Sequence, residues 1–276
     1  IGAGSMKPEL LSEHVAKARQ LTSKPLAVNV PLLYPRVEEQ LEVALKGGIR
    51  IFFTSAGSPK KYTAELKKQG CTVVHVTSSP ELALKCEAAG VDAIVAEGFE
   101  AGGHNGRDEI TTMCLIPQVV DAVKIPVIAA GGIGDGRATA AAFALGADGV
   151  QIGTRFAATQ ESSAHDNFRN AIIKAGSGDT RLMMKRLVPV RLLRNGFFSA
   201  VEELEARCAS KEELAELLGK GRAMRGMLQG DLEQGELEIG QVSALVKDVP
   251  TVAEFVQRLR QEFDQATRCF KGESAS

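Results

Sequence analysis

A chain of 276 residues with 44% apolar content, 33 basic and 34 acidic residues can fill one large core, or a domain with a smaller appendage, at a formal charge of −1. That balance excludes a general electrostatic attraction to nucleic acid or to an anionic membrane surface. The five cysteines, at positions 71, 86, 114, 208 and 269, show no CxxC spacing and predict reduced thiols in the cytoplasm, and no apolar run is long enough to cross a bilayer.

The chain opens on IGAGS, which reads as the end of a strand turning into a loop. Helical spacing then runs from Pro8 to Gln20, followed by a strand from Leu26 to Val30 with Asn29 near its end. A helix over Glu38 to Lys46 leads to a strand over Ile49 to Thr54, and a helix over Tyr62 to Gln69 leads to a strand over Thr72 to Val76. Ser79 to Ala89, with Pro80 as a favourable first helical residue, precede the strand Ala93 to Ala96. A helix over Ile116 to Val123, a strand over Pro126 to Ala130, an alanine-rich helix over Gly136 to Leu145 and a strand over Gly149 to Ile152 continue the alternation. Strands separated by helices of this length imply parallel βαβ units.

Glycine and polar residues gather after several successive strands, whereas a doubly wound sheet concentrates its site at one switch point; the pattern therefore favours an eight-stranded α/β barrel of the TIM type. GGIGDG does not reproduce the GxGxxG spacing of a dinucleotide turn. If AAGGIG and QIGTRF follow strands seven and eight, where barrels hold phosphate, Ala93 to Ala96 are strand six and Ile1 to Gly4 a remnant of strand two. This chain is then expected to lack the first strand–helix unit of the barrel, to hold its cofactor weakly and to aggregate readily, because an open barrel exposes unpaired backbone groups. The expected division is a (β/α) barrel over 1–161 and a mostly helical region over 162–276.

The densest chemistry lies in EGFEAGGHNG, residues 97 to 106, where glycines able to take positive φ surround Glu97, Glu100 and His104. EGFEAGGHNG, then PVIAAGGIGDG, then GADGVQIGTRF, in that order on three successive strand ends, resemble the FMN-dependent family of type II enoyl-acyl-carrier-protein reductases and nitronate monooxygenases, the 2-nitropropane dioxygenase-like proteins. The likeness extends from IGAGS to GDLEQGELEIGQVSALVKD. It implies FMN as cofactor, NADH or NADPH as reductant, and a small helical domain over the barrel mouth. It further implies His104 as the catalytic histidine, and Asn29, Glu97, Gly102, Gly132, Gln151, Ile152, Gly153 and Thr154 as cofactor contacts. Histidine suits the role because its ordinary pKa allows proton exchange near neutrality. His75, inside TVVHV, reads as a packed core residue, His14 and His165 as surface residues, and Glu100 as an exposed loop carboxylate.

Beyond residue 161 the expectations are a long charged helix over ELEARCASKEELAELL and a stiff basic connector over LVPVRLLRN. Arg155, Lys185, Arg186, Arg191 and Arg194 are candidates for meeting an acidic acyl carrier protein or a nucleotide phosphate. No metal site is expected, a homodimer is possible, and the KGESAS tail is expected to be disordered. The resulting reading is reduction of an enoyl-acyl-carrier-protein double bond in fatty-acid synthesis. The alternatives are oxidation of alkyl nitronates with O2, or a non-catalytic remnant acting as a binding module.

Overall fold

The computed structural model describes residues 1–4 and 6–270; the KGESAS tail lies outside the described residues. The chain forms two compact units, residues 1–96 with 118–128, and residues 97–117 with 129–276. A boundary at 161 falls inside the second.

In the first unit, helix α1 (Pro8–Leu21) starts on a proline whose missing N–H costs nothing at that position. Strand β1 (Ala27–Pro31), helix α2 (Val37–Lys46), strand β2 (Ile51–Ser55), helix α3 (Thr63–Lys68), strand β3 (Thr72–Thr77), helix α4 (Pro80–Ala88) and strand β4 (Ala93–Glu97) follow. The pairs β1–β2, β2–β3 and β3–β4 are parallel. Residues 1–3 run beside β1: Asn29 N–H donates to Ile1 O, Ala3 N–H donates to Asn29 O, and Gly2 bridges Asn29 in parallel. Ile94, Val95 and Ala96 are fully buried, which is why β4 is a continuous apolar run and not an alternating one.

Strand β5 (Gly103–His104), helix α5 (Thr112–Ala122), strand β6 (Val127–Ala130), helix α6 (Gly136–Ala144), strand β7 (Gly149–Gln151) and the short helix α7 (Thr154–Ala157) come next. One sheet carries the order β1-β2-β3-β4-β6-β7. Chain order is kept across it with no reversal, as a barrel requires and a doubly wound sheet does not allow. Helix α5 begins four residues before the expected Ile116 and carries Pro117 inside it.

The remainder of the second unit holds helix α8 (Asp166–Lys174), strands β8 (Thr180–Met183) and β9 (Val190–Leu193), and helices α9 (Gly196–Ala206), α10 (Lys211–Leu218), α11 (Arg222–Met227) and α12 (Val252–Phe270). Two expectations are corrected here. LVPVRLLRN is no basic connector: Val190, Arg191, Leu192 and Leu193 are all buried, as the central strand of the antiparallel sheet β5-β9-β8. ELEARCASKEELAELL is two helices, because Cys208 takes φ 59° and Ser210 starts α10 through a capping box with Glu213. Helix α12 packs on α6 closely enough that a Cβ on Gly136 would lie 2.2 Å from Phe263 N.

Candidate active site

The loop after β4 is built to hold a side chain outward. Gly98 N–H donates to Ala130 O, Phe99 N–H to Ile110 O and Ala101 N–H to Gly98 O, so the chain turns sharply as soon as the strand ends. Gly103 then takes φ 79°, a conformation that a side chain would strain, and the chain enters β5. There Gly103 pairs with Arg191 and His104 with Val190, while Asn105 N–H donates to Pro189 O. Asn105 Nδ2 closes the turn from within, donating to Ala101 O at 2.9 Å and Gly103 O at 3.0 Å. His104 is therefore fixed by its backbone and leaves its ring exposed.

Glu100 is not an exposed loop carboxylate. It accepts from Thr112 N–H at 2.9 Å and from Thr112 Oγ1 at 2.9 Å, which satisfies an orphan donor at the start of α5.

Arg191 corrects a second expectation, since at 1% exposure it cannot meet a partner protein. Its guanidinium donates to Phe99 O from Nε at 3.1 Å and from Nη2 at 2.8 Å, and lies 4.4 Å from the centre of the Phe99 ring. It clamps the loop that carries Glu100 and leads to His104. Burial lowers its pKa, with Glu100 and Glu109 opposing that shift. Arg155, 4% exposed, is likewise committed inward, to Asp248 at 3.1 Å. Of the other proposed docking cations, Lys185 pairs with Glu109, Arg186 donates to Cys208 O at 2.8 Å, and Arg194 lies over the Phe198 ring at 5.5 Å.

The sequence reading missed a third component, the segment GELEIG at 235–240. Leu237 O accepts from Leu193 N–H, Gly240 N–H donates to Thr154 Oγ1 at 3.0 Å, and Gln241 N–H donates to Glu100 O. The segment thus ties the loop after β4 to the one after β7. A Cβ on Gly102 would lie 2.6 Å from Gly240 N and 2.7 Å from Ile239 C, so the small residue there admits the chain's own backbone. Leu237 and Ile239 enter a core with Phe168, Ile172 and Val246. Alternation along an extended segment sends Glu236 and Glu238 the other way, and a Glu238 carboxylate oxygen sits 2.6 Å from where a Gly103 Cβ would be. This two-residue alternation between glycines was visible in the sequence, although nothing there said what it faced.

These carboxyls hold protons unusually well. Burial pushes Glu238 up to about 7, and burial with the nearby Glu238 charge pushes Glu97 up to about 7. Glu236 is also raised to about 7 by burial and by Glu238, while His104 and Arg222 pull it down. Glu97 and Glu238 keep some accessible surface, whereas Glu236 is only 4% exposed.

The loops after β6 and β7 offer backbone donors. Gly131 and Gly132 take φ 95° and 70°, and the N–H groups of Gly132, Ile133, Gly153 and Thr154 find no acceptor among the described residues. Gln151 and Ile152 are half-buried and Gly153 is exposed; a Cβ on Gly153 would meet nothing within 4 Å. Unpaired N–H groups in glycine loops suit a terminal phosphate. The second unit thus holds Glu97, Gly102, His104, Gly132, Gln151, Ile152, Gly153 and Thr154. Asn29 belongs to the first unit, half-buried on β1 opposite Phe53. His75, also there, is 3% exposed and bonded to Thr54 Oγ1 at 2.7 Å, which makes it a core residue; burial pulls its pKa down to about 4. His165 caps α8, accepting from Asn167 N–H at 3.1 Å, and His14 lies on α1. No group of residues suited to a metal ion occurs among the described residues, and no described helix is long and apolar enough to cross a membrane.

The family profile described as nitronate monooxygenase matches residues 1–262. This chain belongs to the nitronate monooxygenase family. It is an oxidoreductase of that family, with an α/β fold of the TIM-barrel type. FabK from Thermotoga maritima is similar to it at 39% identity and a TM-score of 0.91, over 99% of this chain and 86% of that one. The nitroalkane oxidase from Streptomyces ansochromogenes is similar at 28% identity and a TM-score of 0.82, over 98% and 89% of the two chains. A Rhodococcus jostii protein named (3aS,4S,5R,7aS)-5-hydroxy-7a-methyl-1-oxo-octahydro-1H-indene-4-carboxyl-CoA dehydrogenase shares 30% identity, over 93% of this chain and 82% of its own.

Proposed function

We propose that this family member binds FMN, is reduced by NADH or NADPH, and saturates the double bond of an enoyl thioester, with an acyl-carrier-protein-bound acyl chain as substrate. The observation that carries the reading is His104, outward-facing and fixed between β9 and the glycine loop after β4. FMN, when bound, accepts and donates hydride. The unpaired N–H groups of Gly132, Ile133, Gly153 and Thr154 would receive its phosphate, and the Thr154 hydroxyl, which already accepts from Gly240, keeps its own proton to donate. His104 holds a proton at the imidazole for the thioester α-carbon, as a general acid. Support for a thioester comes from the 39% match to FabK and from the carboxyl-CoA dehydrogenase relative.

A nitronate is the second reading, favoured by the family's name and the nitroalkane oxidase structure. There the same imidazole would hold the nitronate oxygens. The two separate in one experiment: flavin-loaded protein is reduced with NADH or NADPH without air, then offered a crotonyl thioester, or an alkyl nitronate with O2. Rapid reoxidation by the thioester supports the first reading. Failure to be reduced by either nicotinamide, together with nitronate turnover, sinks it in favour of the second.

A further inference from the structure

The peptide that joins Gly131 to Gly132 carries one of the donors assigned to the phosphate, and neither residue holds it still. Both take left-handed φ, 95° and 70°, and glycine accepts either sign of φ, so this peptide turns over easily unless a neighbour grips it. Thr112 does. Its hydroxyl donates to Gly131 O at 2.9 Å, and no other donor reaches that carbonyl among the described residues. Ala130 O, 3.4 Å from the same hydroxyl, is already served by Gly98 N–H at 2.9 Å. Glu100 Oε2 shares the hydroxyl proton at 2.9 Å, but the Glu100 carboxylate also has Thr112 N–H, at 2.9 Å and 3.1 Å. Gly131 O is therefore the partner with no substitute. A Cβ on Gly98 or on Gly131 would crowd the hydroxyl, so the two glycines are what let the threonine reach the turn.

We propose that Thr112 is a positioning residue for the flavin phosphate: its hydroxyl grips Gly131 O and so keeps the Gly132 N–H turned away and free for the anion. The link is the planar trans peptide, in which C=O and N–H point in opposite directions. Drawing the carbonyl toward Thr112, at the start of α5, sends the N–H the other way, where it meets no acceptor of the protein's own. Glu100 gives the grip a fixed point, because it holds Thr112 by its N–H while its own carbonyl accepts from Gln241 N–H. The same contact joins the loop that leads to His104 to the glycine turn after β6. This role rests on the FMN reading and extends it to a residue that does not touch the cofactor.

The test measures Kd for FMN and for riboflavin, which lacks only the phosphate, by quenching of flavin fluorescence on the full chain freed of bound flavin. The ratio of the two constants isolates the phosphate. Thr112→Val keeps the side-chain shape and removes the hydroxyl; its preference for FMN should fall about tenfold, the effect of losing one hydrogen bond to a charged group, while riboflavin binding stays within about twofold of wild type. Thr112→Ser, which keeps the hydroxyl, should restore the preference. An unchanged preference in Thr112→Val overturns the proposal, as does an equal loss of both flavins, or a Thr112→Ser variant no better than the valine. If Thr112→Val does not fold, Thr112→Ala takes its place under the same criteria. Wild-type protein that binds the two flavins alike defeats the FMN reading and this role with it, whereas a wild-type preference for FMN that survives the valine defeats this role alone.

Discussion

His104→Ala is expected to slow turnover by on the order of a hundredfold or more, the usual size of a general acid–base contribution, while flavin content stays at the wild-type level. The separation follows from how the residue is held. Its neighbours in β5 and β9 pair through backbone atoms, Asn105 closes the turn onto Ala101 O and Gly103 O, and Arg191 secures Phe99; none of these uses the imidazole. Alanine therefore leaves the loop in place and removes only the proton carrier. Absorbance of the bound flavin reports occupancy, and single-turnover oxidation of the reduced protein reports chemistry. A variant that loses flavin but reacts normally once reconstituted would make the histidine structural.

The second large effect is on stability. Glu236, Glu238 and Glu97 keep protons in the folded protein up to about 7, whereas the unfolded chain loses them near the ordinary value of 4.5. Between those values the folded state binds more protons, so these groups favour folding most at low pH, and that contribution is lost as pH rises through about 7. His75 acts in the opposite sense. Its folded value of about 4 lies below its ordinary 6.5, so its contribution is present above 6.5 and is lost as pH falls toward 4. Below pH 6.5 the two oppose each other; above it the carboxyls act alone. The melting temperature should therefore fall between pH 6.5 and 8, by on the order of 5 °C. Glu236→Gln, which has no charge to bury, should flatten that fall. A wild-type curve that is level or rising over this range would show that the carboxyls ionise freely.

Much of this was legible in the residues, for reasons that can be named. The alternation of strands and helices is written in apolar runs closed by glycine, as in AIVAEG and VIAAGG, and buried parallel strands have no choice but to read that way. His104 stood out because a titratable ring among four glycines has little packing purpose. Arg191 was misread, because an arginine in VPVRLLR looks like a surface cation until the strand pairing that buries it is known. The boundary at Ser210 was written in its capping box, S-K-E-E, but was hidden by charged helical residues on both sides. What the Glu236 and Glu238 pair faces was hidden for another reason. Its meaning comes from segments more than a hundred residues away, and no local pattern encodes what a carboxylate will face.

The most direct test of the account is to denature the purified protein and identify any released flavin by chromatography. Two glycine loops with unpaired N–H groups, and no GxGxxG turn for a pyrophosphate, call for FMN at about one per chain. FAD, or a protein that takes up no FMN, would contradict it.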